Sequence, residues 1–547
     1  MTSLKTYWHT LRHLRPIQFY GRLYFRLITP QVCTDETKIE LRPQGKWNEP
    51  ARRLASLVGP GEFVFLNEWG SLTEHGWDGP DKSKLWRYNQ HYFDDLNAEQ
   101  AASRIEWHKN LIRDWIASNP PSMGSGWESY PTSLRLVNWI KWSLTRGELP
   151  AYCLESMVIQ ARWLEKRIEW HLLGNHLFAN AKALVFSGIY FSGSEADRWL
   201  NRGISILERE ISEQILPDGG HFELSTMYHA LIFEDLLDLC NLLECYKSNL
   251  PIQFVKLLES YKKATSKMLM WLDSMSHTDG ELSFFNDAAF GIAPRSYELR
   301  QYATRLGISN LCLQGRSKDL AYSGYVRLES ENVVALLDIA SIGPDYLPGH
   351  AHADTLSFEL SLYGQRLLVN TGTSCYQRGR ERLYQRGTIA HNTVAISEEN
   401  SSEVWSSFRV ARRARPFNKK VDIDSLPMCV ECSHDGYKRL DGSPTHTRSW
   451  ILYRDKLVVE DTVDSPDLPA QARFYFHPAV DLETLGHEGL ALLLGGQQAQ
   501  WFVECGIAHY EDSEWFPEFG KSISNKCLVV DLVNGRSKIH WRWIAGS

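Results

Sequence analysis

The spacing of apolar residues along this chain changes once, near residue 320, and that change constrains the fold more than any other feature. Up to about residue 315, apolar side chains recur every three or four positions, as in 101–118, 131–146, 154–172, 177–191, 196–214, 227–246 and 252–274. Such a period belongs to helices with one buried face. Each run stops near Gly, Pro or Asn, and the short gaps between runs imply helical hairpins. Beyond residue 320 the period becomes two. The run TLSFELSLYGQRLLVNTG alternates around a Tyr-Gly turn, as a β-hairpin does, and NVVALLDIA, HNTVAISE, SWILYRDKLVVEDTV, QARFYFHPAV and KIHWRWI repeat the pattern. The expected architecture is multidomain α+β, an N-terminal (α/α) toroid followed by a C-terminal antiparallel β-sandwich. The expected limits are an irregular lead-in over 1–85 packed on the toroid, the toroid over 86–318 and the sandwich over 319–547.

Charge narrows the partners. A net charge of −7 gives no whole-protein reason to bind nucleic acid, and an anionic polymer would need a local basic groove. The 20 Trp are read mainly as core, with stacking on sugar rings the alternative. The ten Cys are scattered, and Cys429-Val-Glu-Cys432 lacks the second pair that a zinc site would need, so they are read as reduced thiols. The first 30 residues mix basic and aromatic side chains with no apolar core of a signal peptide, and no later run could span a bilayer. Docking of this stretch on the domain is preferred over a place on a membrane. The cytoplasm is the compartment expected from sequence alone, and no oligomeric state is implied.

Three segments carry candidate chemistry. Residues 172–180, LLGNHLFAN, put Asn175 and His176 at a helix start. Asn is a natural cap there, and such a site also turns amide donors toward an anion. Residues 217–229, PDGGHFELSTMYH, hold Glu223, Tyr228 and His229 after a turn. Residues 348–360, PGHAHADTLSFEL, place His350 and His352 on one side of an extended chain beside Asp354, as a metal or proton-transfer site would. Asn370-Thr-Gly-Thr373 and Arg386-Gly-Thr-Ile-Ala-His391-Asn392-Thr393 follow.

The run from His350 through Ala-His-Asn-Thr to SSEVWSSFRVARRA resembles the C-terminal module of the heparinase II/III-like family, and the Gly-Asn-His and Met-Tyr-His segments resemble its toroid motifs. LRPIQFYGRL resembles members found with bacterial polysaccharide gene clusters, which suggests a setting in capsule or exopolysaccharide metabolism. Relatives of this kind are often periplasmic. The resemblance implies a lyase acting on a uronate-containing polysaccharide, an anionic partner. Such an enzyme removes the C5 proton and expels the C4 oxygen, leaving an unsaturated sugar. By that analogy Asn175 neutralises the uronate carboxylate with His176 alongside, Tyr228 transfers a proton and His350 is the second acid/base group. Glu223 and His229 join the substrate-binding set. A tyrosine acting as base needs a neighbouring cation. Arg135, or a cluster of Arg378, Arg380, Arg382 and Arg386, could supply it or hold the anionic chain. No cofactor is required, but some relatives bind zinc, and the matching positions are His352, Asn370 and His391, with Asp354 as a substitute for the weak amide ligand. Two rival readings remain, a glycoside hydrolase using two of Asp218, Glu223, Asp279 and Asp287, and a polysaccharide-binding protein without activity.

Overall fold

The computed structural model describes residues 4–35, 39–309 and 317–543. Helices dominate as far as Arg305 and strands from Lys318 onward. The lead-in is more ordered than expected. It includes two N-terminal helices, α1 (Leu4–Leu11) and α2 (Pro16–Leu27, with Pro at its first turn), a three-stranded meander over Leu57–Gly59, Glu62–Phe65 and Glu68–Ser71, and a single helical turn at Leu72–His75. It also touches more than the toroid. Arg15 pairs with Glu213 of the helical part, while Gln18 donates to the Tyr346 carbonyl (3.1 Å) and Trp405 Nε1 donates to Thr10 (3.0 Å) from the strand-rich part.

The toroid is built from α3 (Lys84–Tyr92), α4 (Ile105–Ser118), α5 (Ser129–Arg146), α6 (Ala151–Lys166), α7 (Gly174–Tyr190), α8 (Ser194–Gln214), α9 (Thr226–Tyr246), α10 (Ile252–Ser274) and α11 (Ser296–Arg305). Helix α7 is buried on nearly every side, which fits its continuous apolar run. Two glycines let α7 and α8 approach. A Cβ on Gly188 would lie 2.5 Å from Leu200 N, and one on Gly203 would lie 2.7 Å from Val185 Cγ2. The periodicity over 154–172 overruns the observed helix, which ends at Lys166. Beyond it Glu169 N is taken by Asn180 Oδ1 (2.8 Å), and the chain turns through Leu173 (φ 61°) and Gly174 (φ 51°) to start α7. At Gly174 a Cβ would sit 2.4 Å from Leu347 Cδ2.

Among the described residues the second half holds three large antiparallel sheets and a two-stranded hairpin. A five-stranded meander runs from Lys318–Leu320 to Gln365–Leu368, and the expected turn at Tyr363-Gly364 joins its last two strands with both residues at positive φ. An eight-stranded sheet spans Pro416–Asp422 to Asp481–Leu485, and a four-stranded one includes Val394–Ile396. Their inner faces meet in one core around Phe358, Trp450, Phe474, Trp501 and Trp541. Tryptophan serves mainly as core in both halves, since fourteen of the 20 are buried and eight of these are fully enclosed. Cys429 and Cys432 lie three apart on the strand Met428–His434 and so point to opposite faces.

A loop after α10, around residues 275–290, ties the halves together. Phe284 N donates to Glu359 (3.0 Å), Asn286 N to Asp354 (3.0 Å) and Asp287 N to the His350 carbonyl (3.0 Å). His277 bonds Glu359 (2.7 Å) across the same seam. Residues of the helical and the stranded halves therefore meet along this loop.

Candidate active site

Tyr228 sits in the first turn of α9. Ser225 caps that helix, accepting from Tyr228 N (3.1 Å), and its hydroxyl donates to the Asp287 carbonyl (2.5 Å), so the cap also fixes the loop. The Tyr228 ring stacks on His350 with centroids 3.7 Å apart. Its phenol meets the Tyr376 hydroxyl at 3.1 Å. Burial, with Tyr376 and Asp287 alongside, pushes the Tyr228 pKa well above the usual phenol range. Its phenol is partnered by the Tyr376 hydroxyl, and its surroundings oppose its ionisation.

His350 is aimed by Asp287. Its Nδ1 lies 2.9 Å from Asp287 Oδ2, and its Nε2 faces Glu223 Oε2 at 3.7 Å. Its side chain stays 14% exposed, whereas Asp287 is fully enclosed. Asp287 also receives Arg382 through both carboxylate oxygens, His352 Nε2 at 2.8 Å and Thr373 at 3.3 Å. Arg382 and the imidazoles hold this carboxyl well below the ordinary range despite burial. An ionised Asp287 accepts from His350 Nδ1–H and leaves Nε2 as the free lone pair.

Glu223 joins the two walls. It is buried, and neither carboxylate oxygen completes a hydrogen bond. Burial raises its pKa, offset in part by His350, His176 and the Asn175 backbone N–H. Asn175 stands in the first turn of α7, where unbonded N–H groups remain. His176 accepts or donates at Glu169 (3.2 Å) and tilts on Tyr130 with centroids 4.5 Å apart. Tyr130, Tyr92 and Tyr88 continue as a row of rings spaced 5.9 and 6.2 Å. On the opposite wall the hairpin Val404–Trp405/Arg409–Val410 carries Phe408, whose ring lies 6.0 Å from His350. The aromatic lining next to the site is thus Tyr and Phe rather than Trp.

Asn175, His176, Glu223, Tyr228 and His350 therefore surround one cleft. Other expected substrate contacts lie elsewhere. Arg135 is enclosed in the toroid, bonded to Gln160 (2.9 Å) and the Gly126 carbonyl (2.8 Å) and stacked over Trp115, so it cannot meet substrate. His229 is enclosed at the Met268 carbonyl (3.0 Å) and packs on Trp271. Arg386 is enclosed and grips the Ala351 carbonyl (2.8 Å), which steadies the chain between His350 and His352. Arg382 is spent on Asp287. Arg378 and Arg380 are exposed. The arginine cluster is two inward struts and two surface residues, because a guanidinium saturated by carbonyls or a carboxylate can be buried whole.

The expected metal ligands form an incomplete donor set. His352 Nδ1 and His391 Nε2 converge at 3.1 Å, but Asn370 is already used, its oxygen by Asn392 N (3.0 Å) and its nitrogen by the Phe284 carbonyl (2.9 Å). Asp354 accepts from Asn286 N, and among the described residues no three His, Cys, Asp or Glu side chains gather as a metal would require. Arg382 places its positive charge against Asp287 instead. Sequence reasoning named Asp287 only as a possible hydrolase carboxylate and missed Tyr376 and Phe408; the Arg-Val-Ala hairpin motif was the available signal for Phe408.

Comparison with known proteins agrees with this arrangement. The model of the heparinase II/III N-terminus matches residues 86–305, and that of the heparinase II/III-like C-terminal region matches 314–544. A "Heparin-sulfate lyase" of Bacteroides stercoris is 27% identical over 443 residues, covering 71% of this chain and 65% of that protein. Another, of Bacteroides thetaiotaomicron, is 26% identical over 381 residues, covering 60% and 51%. The chain spans less than two thirds of the length of these relatives. Among solved structures, heparinase III superposes with TM-score 0.71 at 16% identity, covering 100% of this chain and 94% of that one. A heparan sulfate lyase mutant from Pedobacter heparinus superposes with TM-score 0.60 at 18% identity, covering 97% and 88%. Two contiguous family models, the toroid-plus-sandwich fold and the cleft between its halves place this chain in the heparinase II/III-like family.

Proposed function

We propose that this protein is a polysaccharide lyase that cleaves a uronate-containing polymer by β-elimination. The observation that carries the reading is the Tyr228–His350 stack, with one imidazole nitrogen anchored by Asp287 and the other free. The uronate carboxylate is received by Asn175 and the N–H groups opening α7, with His176 beside it. Glu223, buried with neither oxygen hydrogen-bonded, is assigned to donate to that carboxylate as a neutral acid. Neutralising the carboxylate acidifies the C5 proton, and the donors stabilise the charge that develops on its removal. His350 Nε2 takes the C5 proton, and Asp287 stabilises the imidazolium that results. Tyr228, holding its proton, delivers it to the departing C4 oxygen. The base and the acid each contribute roughly 10²–10⁴-fold. The half-buried Tyr130 and Tyr88, with Tyr92 enclosed between them, offer stacking faces to the adjoining sugars. The relatives named heparin-sulfate lyases favour a glycosaminoglycan-like substrate.

Hydrolysis fits less well. Asp218 is held by Ser323 (2.7 Å) and Asp279 by Arg366 (2.7 Å), while Asp287 has no face open to a sugar. Incubation with heparan sulfate and other uronate polymers tests the reading. New near-ultraviolet absorbance from unsaturated ends is expected. Chain shortening without that absorbance would mean hydrolysis. Tight binding with no shortening would mean a binding protein.

A further inference from the structure

The two lead-in helices turn their apolar sides away from the protein. In α2, Phe19, Tyr20, Leu23, Tyr24 and Leu27 share one face by the helical period, and that face is open to solvent, with Leu23 and Leu27 61% and 68% exposed. The inner face is made by Gln18, Gly21 and Phe25. Gln18 is buried, a Cβ on Gly21 would lie 2.9 Å from His171 Cβ, and Phe25 tilts on His171. Helix α1 repeats the arrangement, with Leu4, Tyr7, Trp8 and Leu11 at positions i, i+3, i+4 and i+7 and all exposed, Trp8 at 67%. Tyr7 alone of these has an aromatic neighbour, the edge of Trp405. Contiguous exposure of this many large side chains marks a contact surface rather than scattered surface residues.

Charge identifies what the surface fits. Lys5, Arg12, Arg15, Arg22 and Arg26 lie on these helices or the turn between them, and the first acidic residue of the sequence is Asp35, in a chain whose net charge is −7. Arg15 pairs with Glu213; among the described residues Lys5, Arg12, Arg22 and Arg26 form no ion pair. A second copy of this face would bring like charges together as the apolar sides closed. An anionic bilayer satisfies both features, because Trp and Tyr settle at the headgroup level and Lys and Arg at the charged surface. No described helix is long and apolar enough to cross a membrane.

We propose that α1 and α2 form an interfacial platform that seats the protein on an anionic membrane surface. The same helices bridge the toroid and the sandwich, so the platform is fixed relative to the cleft rather than trailing from it.

The test is co-sedimentation of the full chain with vesicles of phosphatidylcholine containing about one third phosphatidylglycerol, and with vesicles of phosphatidylcholine alone. Binding to the anionic vesicles only, weakening as salt is raised, is expected. The pairs Leu23→Ser with Leu27→Ser, and Lys5→Gln with Arg26→Gln, each lower the partition coefficient by about tenfold or more. Their melting temperatures and their activity on dissolved polymer stay those of the parent. Absence of binding to either vesicle, or variants that bind like the parent, would overturn the proposal. So would a concentration-dependent dimer that Leu23→Ser with Leu27→Ser abolishes, since a second copy would then be the occupant.

Discussion

The molecule assembles the same set of four side chains, two His, one Asp and one Arg, twice. In the cleft, Asp287 binds His350, His352 and Arg382. In the sandwich core, Asp461 binds His446 (2.8 Å) and Arg448 (2.7 and 3.0 Å), and His434 Nε2 meets His446 Nδ1 at 3.2 Å. The two differ in how the hydrogen bonds close. In the core, Gly436 N–H donates to His434 Nδ1 (3.1 Å), so two neutral imidazoles pass donors in one direction to Asp461 and nothing is left over. In the cleft, His352 ends on Asp287 and His391 ends on the Gly387 carbonyl (2.8 Å), both acceptors. Burial favours neutral His352, with its pKa lowered to about 3, and lowers His391 as well. The two therefore face each other through lone pairs at 3.1 Å. His350 adds a nitrogen with no fixed partner. The core cluster is saturated and structural, and the cleft cluster keeps unspent hydrogen-bonding capacity, as functional sites do.

Breaking each cluster separates the two roles. Tyr228→Phe and His350→Ala are expected to lower kcat by about 10³-fold each, within the range for a lost proton-transfer group, while thermal unfolding stays near the parent's. Equal activity in both variants and parent would remove the cleft from the chemistry. Asp461→Ala strands Arg448 in the core and is expected to cost about 3–5 kcal/mol of stability, read by denaturant unfolding, with kcat per folded molecule unchanged. Asp287→Asn does both. It strands Arg382, and it is expected to lower kcat by about 10–100-fold through misdirection of His350. A role in positioning, rather than in support alone, requires that the pH profile of kcat/KM also shift. A profile that keeps its shape would make Asp287 a second Asp461.

How much of this the sequence disclosed follows from distance along the chain. Gly-Asn-His, Met-Tyr-His and His-Ala-His are short motifs, and all of the side chains they single out except His229 gather around the cleft or its Asp287 network. The change of period gave the order of helical and stranded halves, because burial of one face is written locally. Asp287 lies 63, 65 and 95 residues from its three main partners, in a loop with no repeat or spacing to mark it. Arg135 was misplaced for the opposite reason. Nothing in its local sequence tells that Gln160 and two backbone carbonyls, those of Gly126 and His91, absorb its charge. The lead-in reads as irregular because its helices are short and interrupted by Pro16, and their outward apolar faces do not register as core.

Acid separates the two carboxyls that touch His350. Asp287 is held below its ordinary pKa, so its contribution to stability is present above about pH 4, the unfolded value, and is lost as pH falls toward the native one. Glu223 is raised by burial, so its contribution runs the other way, present in full below about pH 4.3 and lost as pH rises through the native pKa. Glu223→Gln removes a carboxyl whose ionisation is opposed by its surroundings. It is expected to raise the melting temperature by about 1–2 °C at pH 7 and by nothing below pH 4, measured by calorimetry across that range. The same variant keeps a hydrogen-bond donor facing the cleft, so its kcat is expected to fall less than that of Glu223→Ala. A melting temperature lowered at pH 7 would mean that Glu223 is ionised and ion-paired with His350, and the neutral-acid role assigned to it would fall with that result.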